Sequence, residues 1–239
     1  MENSEIGRLL GALVSPGKTF RSIAERPTWM AALLLLMVLA GAVGVLVNQR
    51  MDPDDMRKSI AERIEKAQGG KASDADVDRA MEMSQKFSSV TRWIIPVVSG
   101  LFYLLVAGLF LAAFRFFGGS EIPFKTSFST ALHAFMPGAV AALLALPVIL
   151  SRERISMKEA QGGSLLASNL GAFAPEDASP VVKALLGSVD FFSLWTVCLL
   201  ILGYRLTAKV STATAATVVL VLWAVAVTAK VGLAAAFGG

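Results

Sequence analysis

Five apolar runs, separated by polar and charged segments, divide this chain at about 29–47, 93–117, 124–150, 189–205 and 211–236. An α-helix needs roughly 20 apolar residues to cross a hydrocarbon core about 30 Å thick, and the runs approach or exceed that length. The last quarter, 185–237, reads as a transmembrane hairpin. DFFSLW at Asp190 to Trp195 opens its first run, and the polar turn 204–211 separates the second. The pattern predicts an all-α, polytopic membrane domain over 29–239 with five spans, an odd number that places the two chain ends on opposite sides.

The segments between the runs carry their own signals. In residues 4–14, Ile6, Leu9, Leu10, Leu13 and Val14 share one helical face. Ser15-Pro16 then reads as an N-cap followed by proline at the first helical position. The next helix sets Phe20, Ile23 and Ala24 against Lys18, Arg21 and Arg26, the composition of a helix in the headgroup plane. Residues 1–28 are therefore expected to form amphipathic interfacial helices. Within the first span, Ala40, Gly41 and Gly44 offer a small-residue face for close helix contact. Segment 48–92 is charge-balanced, with nine acids and nine bases. Asp52-Pro53 starts a helix there and Gly69-Gly70 stops it. A second helix from about Asp74, carrying Val77, Met81 and Phe87, completes an extramembrane helical hairpin, and its seam suits either internal packing or a docked partner. Pro96 falls in the first turn of the second span. Pro137 and Pro147 kink the third, which starts at Pro123. In the loop 151–179 a short helix is expected over 152–160, and Ser179-Pro180 repeats the cap-plus-proline signal.

Composition agrees with this picture. Mean hydropathy is +0.63 and 55% of residues are hydrophobic against 17% charged, outside the range of soluble domains. The net charge of +4 has no basic stripe with interleaved aromatics behind it, so nucleic acid is not an expected partner. Small excesses of bases in 1–28 and 204–210, with Arg115 bordering the balanced segment 116–126, favour a cytoplasmic N-terminus.

Candidate chemistry is sparse. The single cysteine, Cys198, reads as a small buried hydrophobe, and the single histidine, His133, as a hydrogen-bonded packing residue. Neither supplies a metal framework, and no cofactor is expected. HExxH, CxxC, GxxxxGK[ST] and GxSxG are all missing from the sequence, so no catalytic residue is assigned and the chain reads as a non-enzyme. One constellation stands out. In an antiparallel hairpin turning near Lys209, Asp190 and Lys230 fall at matching depth, which suggests an intramembrane ion pair, with independent snorkelling as the alternative. Two functions follow from different classes. One is a scaffold or modulator of other membrane components. The other is a small transporter or channel using Asp190, Lys230 and His133.

Three stretches carry a family resemblance. LVSPGKTFRSIAERPTW near the start, FGGSEIPFKTSFSTALHAFMP in the middle and SVDFFSLWTVCLLILGYRLTAKVSTATA near the end together resemble the prokaryotic branch of the Yip family, the Ypt/Rab-interacting membrane-protein domain. The motif residues are Asp190, Phe191 and Trp195 at the fourth span, with Pro16 and Phe20 in SPGKTF. The resemblance implies a five-span fold and a membrane location and carries over no partner; the Ala- and Gly-rich spans suit a bacterial inner membrane, where the lipid bilayer, other membrane proteins or a second copy are the expected partners. The long acidic N-terminal region of the eukaryotic members has no counterpart here, so small-GTPase binding is not carried over.

Overall fold

The computed structural model describes residues 4–162, 164–175 and 177–237. Among the described residues eleven α-helices follow in order: α1 Glu5–Val14, α2 Pro16–Glu25, α3 Met30–Gln49, α4 Pro53–Gln68, α5 Asp74–Phe116, α6 Phe124–Ala134, α7 Met136–Ser151, α8 Met157–Gly162, α9 Pro180–Leu186, α10 Phe191–Thr207 and α11 Thr212–Phe237. Four stretches among the described residues are long and apolar enough to cross a membrane: Met30–Gln49, Trp93–Phe116, Phe124–Ser151 and Thr212–Ala236. The fifth, α10, has 17 residues and rises about 25 Å, slightly short of a hydrocarbon core. This is a polytopic helical membrane protein.

Local chemistry explains most of the boundaries. Asp52 caps α4 by accepting from the amides of Asp54 and Asp55, and Gly69 ends it in the left-handed region at φ 67°. Ser73 and Ser179 cap α5 and α9 through their side chains. Ser15 holds the N-cap position of α2 with Pro16 first in the helix, but its side chain makes no capping bond; its carbonyl accepts from the Thr19 amide and hydroxyl.

Three expected boundaries move, the smallest being the helix expected over 152–160, which forms only as α8 from Met157. The helix from Asp74 does not stop before the second span but runs through Trp93 and Pro96 as one 43-residue rod. Pro96 is accommodated because its ring lies against Gly41 of α3, where an added Cβ would come 2.9 Å from Pro96 Cγ. The third span, conversely, is broken. Pro137 lacks an amide hydrogen and its ring clashes with the carbonyl four residues back, so α6 ends at Ala134 and α7 restarts at Met136.

Helix directions alternate, and the connections collect on two faces. On the near face, α1 and α2 sit with the turns 117–123 and 208–211, which are joined by the Ser120 hydroxyl donating to Ala208 O. On the far face the two long loops clasp each other. The Asp52 amide donates to Ile155 O, the Ile155 amide to Arg50 O, and Arg50 Nη1 to Arg152 O. Arg154 lies 3.6 Å from both Asp52 and Asp54.

Bonds to the capping amides, joined by Arg154, hold the Asp52 carboxyl below its ordinary value. Because the folded state favours the ionised form, the clasp is fully present above the unfolded carboxylate range near pH 4 and weakens as pH falls through the lower folded value. Hydrogen exchange, corrected for intrinsic rates, is therefore expected to show the Asp52 and Ile155 amides protected at pH 7 and less so at pH 3. Equal protection at both would remove Asp52 from the clasp.

The bundle is apolar on its outside as well as within. Leu34, Val38, Leu105, Leu143, Val221 and Val225 are exposed along the spans, a surface suited to lipid. Cys198, expected to be buried, faces outward on α10 among these. In a bilayer a small apolar thiol is as compatible with lipid as with a core.

Candidate functional site

The helix that everything else surrounds is α6. Its sequence, FKTSFSTALHA, is polar enough for a surface, yet every residue from Thr126 to Ala134 is buried. The cost of burying hydroxyls in an apolar bundle is offset only if each finds a partner. They do. Ser127 donates to Ala107 O of α5 at 2.9 Å and lies 2.9 Å from the Tyr204 hydroxyl of α10. Thr130 donates to Thr126 O and meets Thr207 Oγ1 at 3.1 Å. Tyr204, fully buried, stacks on Phe110 and Phe114 at centroid separations of 4.9 and 4.6 Å.

The near end of this polar helix is closed by the N-terminal hairpin. Arg8 is 4% exposed and donates from Nη1 to Arg26 O at 2.6 Å and to Thr28 Oγ1 at 2.9 Å, and from Nη2 to Ser22 Oγ at 2.7 Å. Ser129 donates to Thr28 O, and His133 Nδ1 bonds to Ser129 O at 2.8 Å. With a carbonyl as its partner, Nδ1 carries the ring proton and Nε2 is left as an acceptor. Arg8, Thr28, Ser129 and His133 thus form one hydrogen-bonded line from α1 into α6. Arg8 Nε and His133 Nε2 are buried along it without partners. Among the described residues no carboxylate lies within ion-pair distance of Arg8.

This arrangement divides α1. Arg8 and Ala12 point into the protein, while Ile6, Leu10 and Val14 are 71%, 66% and 79% exposed. The face read as apolar is divided: Leu9 and Leu13 pack against the core, Ile6, Leu10 and Val14 turn outward, and Arg8 takes an inward position. Helix α2 is not divided. Its Phe20 and Ile23 are fully buried, and Lys18, Arg21 and Arg26 look outward. Pro16 starts that helix. The α2 apolar face is covered by α10, where Gly203 makes room: a Cβ there would meet Thr130 Cγ2 at 2.9 Å and Phe20 Cε1 at 3.0 Å. Arg8 is the residue the sequence reading missed. One base on a short amphipathic helix looks like a solvent-side charge unless the helix is known to turn part of its apolar side to lipid.

The motif at the fourth span has a local job. Asp190 is the N-cap of α10, accepting from the Ser193 amide at 2.9 Å and from the Ser168 hydroxyl. Phe191, 61% exposed, meets Trp195 edge-on at 5.9 Å, an aromatic pair placed where the helix enters from the far face. The suggested pair with Lys230 is not formed. Both residues are described, they make no ion pair with each other, and Lys230 is exposed on α11. The carboxylate turns to its own helix start because two nearby donors satisfy it without the entropy of ordering a lysine. Asp190→Ala is accordingly expected to cost about 1–2 kcal/mol while Asp190→Asn, itself a good cap, costs only a few tenths. Lys230→Met is expected to stay within about 0.5 kcal/mol of the parent. Thermal unfolding in one detergent checks all three, and equal losses for Asp190→Ala and Lys230→Met would restore the ion pair.

Beside Asp190 a cavity of about 310 Å³ opens between α3, α7 and α10, lined mainly by apolar residues such as Ala40, Val43, Ala141 and Ala145. Among the described residues no three His, Cys, Asp or Glu side chains group so as to hold a metal ion. The site is a buried hydrogen-bonded seam that joins α1, α2, α5, α6 and α10.

No curated protein and no solved structure gives a significant match to the sequence. A family model described as the Yip1 domain matches residues 10–233, from within α1 to near the end of α11. The match begins two residues after Arg8 and takes in α2, the polar helix α6 and the capped entry to α10, and the chain belongs to the Yip1 domain family.

Proposed function

We propose that this Yip-family protein is a non-enzymatic scaffold or modulator of other components of a bacterial plasma membrane, with its near face in the cytoplasm. The observation that supports this best is the far-face arm. Helix α5 continues unbroken for ~28 Å ahead of its membrane entry at Trp93. Helix α4 is clamped along it by Arg57, which contacts Asp74 and Asp78, and by burial of Val77. A stiff helical projection anchored in a bilayer presents a surface at fixed height and orientation. The near face carries Lys18, Arg21, Arg26, Lys125, Arg205 and Lys209, all exposed, which supports its cytoplasmic placement.

Cross-linking in intact membranes, followed by affinity purification and mass spectrometry, tests the scaffold. A different protein recovered near stoichiometry, with cross-links on 53–92, is the expected result. Recovery of this chain alone would remove the scaffold reading. A second reading, a small transporter or channel, draws on the hydroxyl line of Ser127, Thr130, Tyr204 and Thr207 through the bundle. It requires solute flux in proteoliposomes that Ser127→Ala abolishes without loss of fold.

A further inference from the structure

Helix α10 is too short to span a bilayer alone, and its near end is fixed. Arg205 and Lys209 are exposed there, and such charges belong at the headgroups. From Arg205 back to Phe191 the helix rises about 22 Å, against a hydrocarbon core about 30 Å thick. The start of α10 at Asp190 therefore lies at or inside the far boundary of that core. Its partner α11 has no shortfall. It rises about 39 Å, roughly 14 Å more than α10, and α9 packs on it.

The chain ahead of α10 is tied to the same height. The Leu170 amide donates to Val189 O, the Phe191 amide to Ser168 O, and the Ser168 hydroxyl to Asp190. Asn169 caps the 3-10 turn Leu170–Phe173. That turn is pressed onto the end of α9, because a Cβ added to Gly171 would come 3.0 Å from the Gly187 amide nitrogen. Held there, the turn and α9 show apolar groups outward. Leu170, Phe173, Val182, Leu185, Val189 and Phe191 range from 36% exposed at Val189 to 76% at Phe173. Asp177 and Ser179, between the turn and α9, are exposed and polar.

We infer that the turn Leu170–Phe173 and helix α9 form a collar embedded in the far leaflet, where acyl chains meet headgroups, and that lipid covers these six side chains. Height selects the occupant. Backbone bonds join the collar to a helix start that cannot stand clear of the hydrocarbon, so acyl chains already lie against it. The α10 shortfall of at least about 5 Å is comparable to the depth at which interfacial helices sit, roughly 5–10 Å into that boundary. The exposed apolar surface also passes from Val189 through Phe191 to Leu194, onto the lipid-facing side of the span. The scaffold reading places its partner on the 53–92 arm, so the collar neither needs that partner nor competes with it.

Nitroxide labels on single cysteines test this in proteoliposomes of the full chain, in a Cys198→Ala background. Oxygen collides with a label in lipid, and a nickel chelate collides with one in water. Phe173→Cys, Val182→Cys and Leu185→Cys replace exposed side chains, so labelling leaves the packing intact. Their oxygen-to-nickel collision ratios are expected to be about tenfold above those at Asp177→Cys and Lys71→Cys, and close to that at Val221→Cys in the α11 span. Nickel contact at Val182 and Leu185 equal to that at Asp177 would put the collar in water and overturn the inference. Exclusion of both oxygen and nickel there would mean that a protein or a second copy covers the surface, and would overturn it as well.

Discussion

Arg8→Ala is expected to release the N-terminal hairpin from the bundle. The guanidinium is nearly fully buried, and its three bonds satisfy the Arg26 carbonyl and the Thr28 and Ser22 hydroxyls together. Removing it leaves those groups unpaired under a buried helix, a loss of about 3 kcal/mol locally. Opening of α1 and α2 should then be roughly 100-fold more populated, at 1.4 kcal/mol for each factor of ten. Trypsin reports this directly, because Lys18 and Arg21 are exposed but helical, and cleavage there tracks the open population when closing is fast. Arg8→Lys is expected to rescue little, since a single ammonium does not reproduce a fork with two nitrogens aimed in different directions. Cleavage at the parental rate in Arg8→Ala would show that the hairpin is held by its apolar contacts alone.

What the sequence disclosed follows from which physics is local. Apolar runs report lipid directly, and proline, glycine and capping residues act within a turn, so the spans, the α4 boundaries and the α9 cap were legible. The break at Phe135 was foreseen only as a kink, because whether a proline bends a helix or ends it depends on what packs around it. The continuity of α5 was hidden by composition: the sequence changes from charged to apolar at Trp93 although the helix runs on through it and Pro96. The Asp190–Lys230 suggestion rested on depth along a hairpin, which cannot see the Ser168 hydroxyl arriving from a loop twenty-two residues earlier. The polar seam was the least legible part. FKTSFSTALHA is ordinary by composition, and only the helices surrounding it turn its hydroxyls into interior groups.

The second large effect is expected where α2 enters the core. Phe20→Ala removes a fully buried ring between α2, α6 and α10 and should cost about 3–5 kcal/mol, the range for phenylalanine truncation in a packed interior. Gly203→Ala overfills the same place, because its methyl would sit 2.9 Å from Thr130 Cγ2 and 3.0–3.1 Å from the Phe20 ring. That substitution alone should cost about 1–3 kcal/mol. The two changes share one volume, so they are not expected to add. With the ring gone, the new methyl occupies part of the cavity instead of colliding, and Phe20→Ala/Gly203→Ala should be more stable than the sum of the single losses by at least about 1 kcal/mol. Unfolding of the four proteins in the same detergent closes the cycle. Strict additivity would mean that Phe20 and Gly203 do not sense each other and that α2 docks on α10 without this ring-to-glycine contact. A coupling of the expected sign would place the SPGKTF segment in the interior of the fold, with Phe20 as the side chain that holds the hairpin to the membrane domain from its apolar side while Arg8 holds it from the polar one.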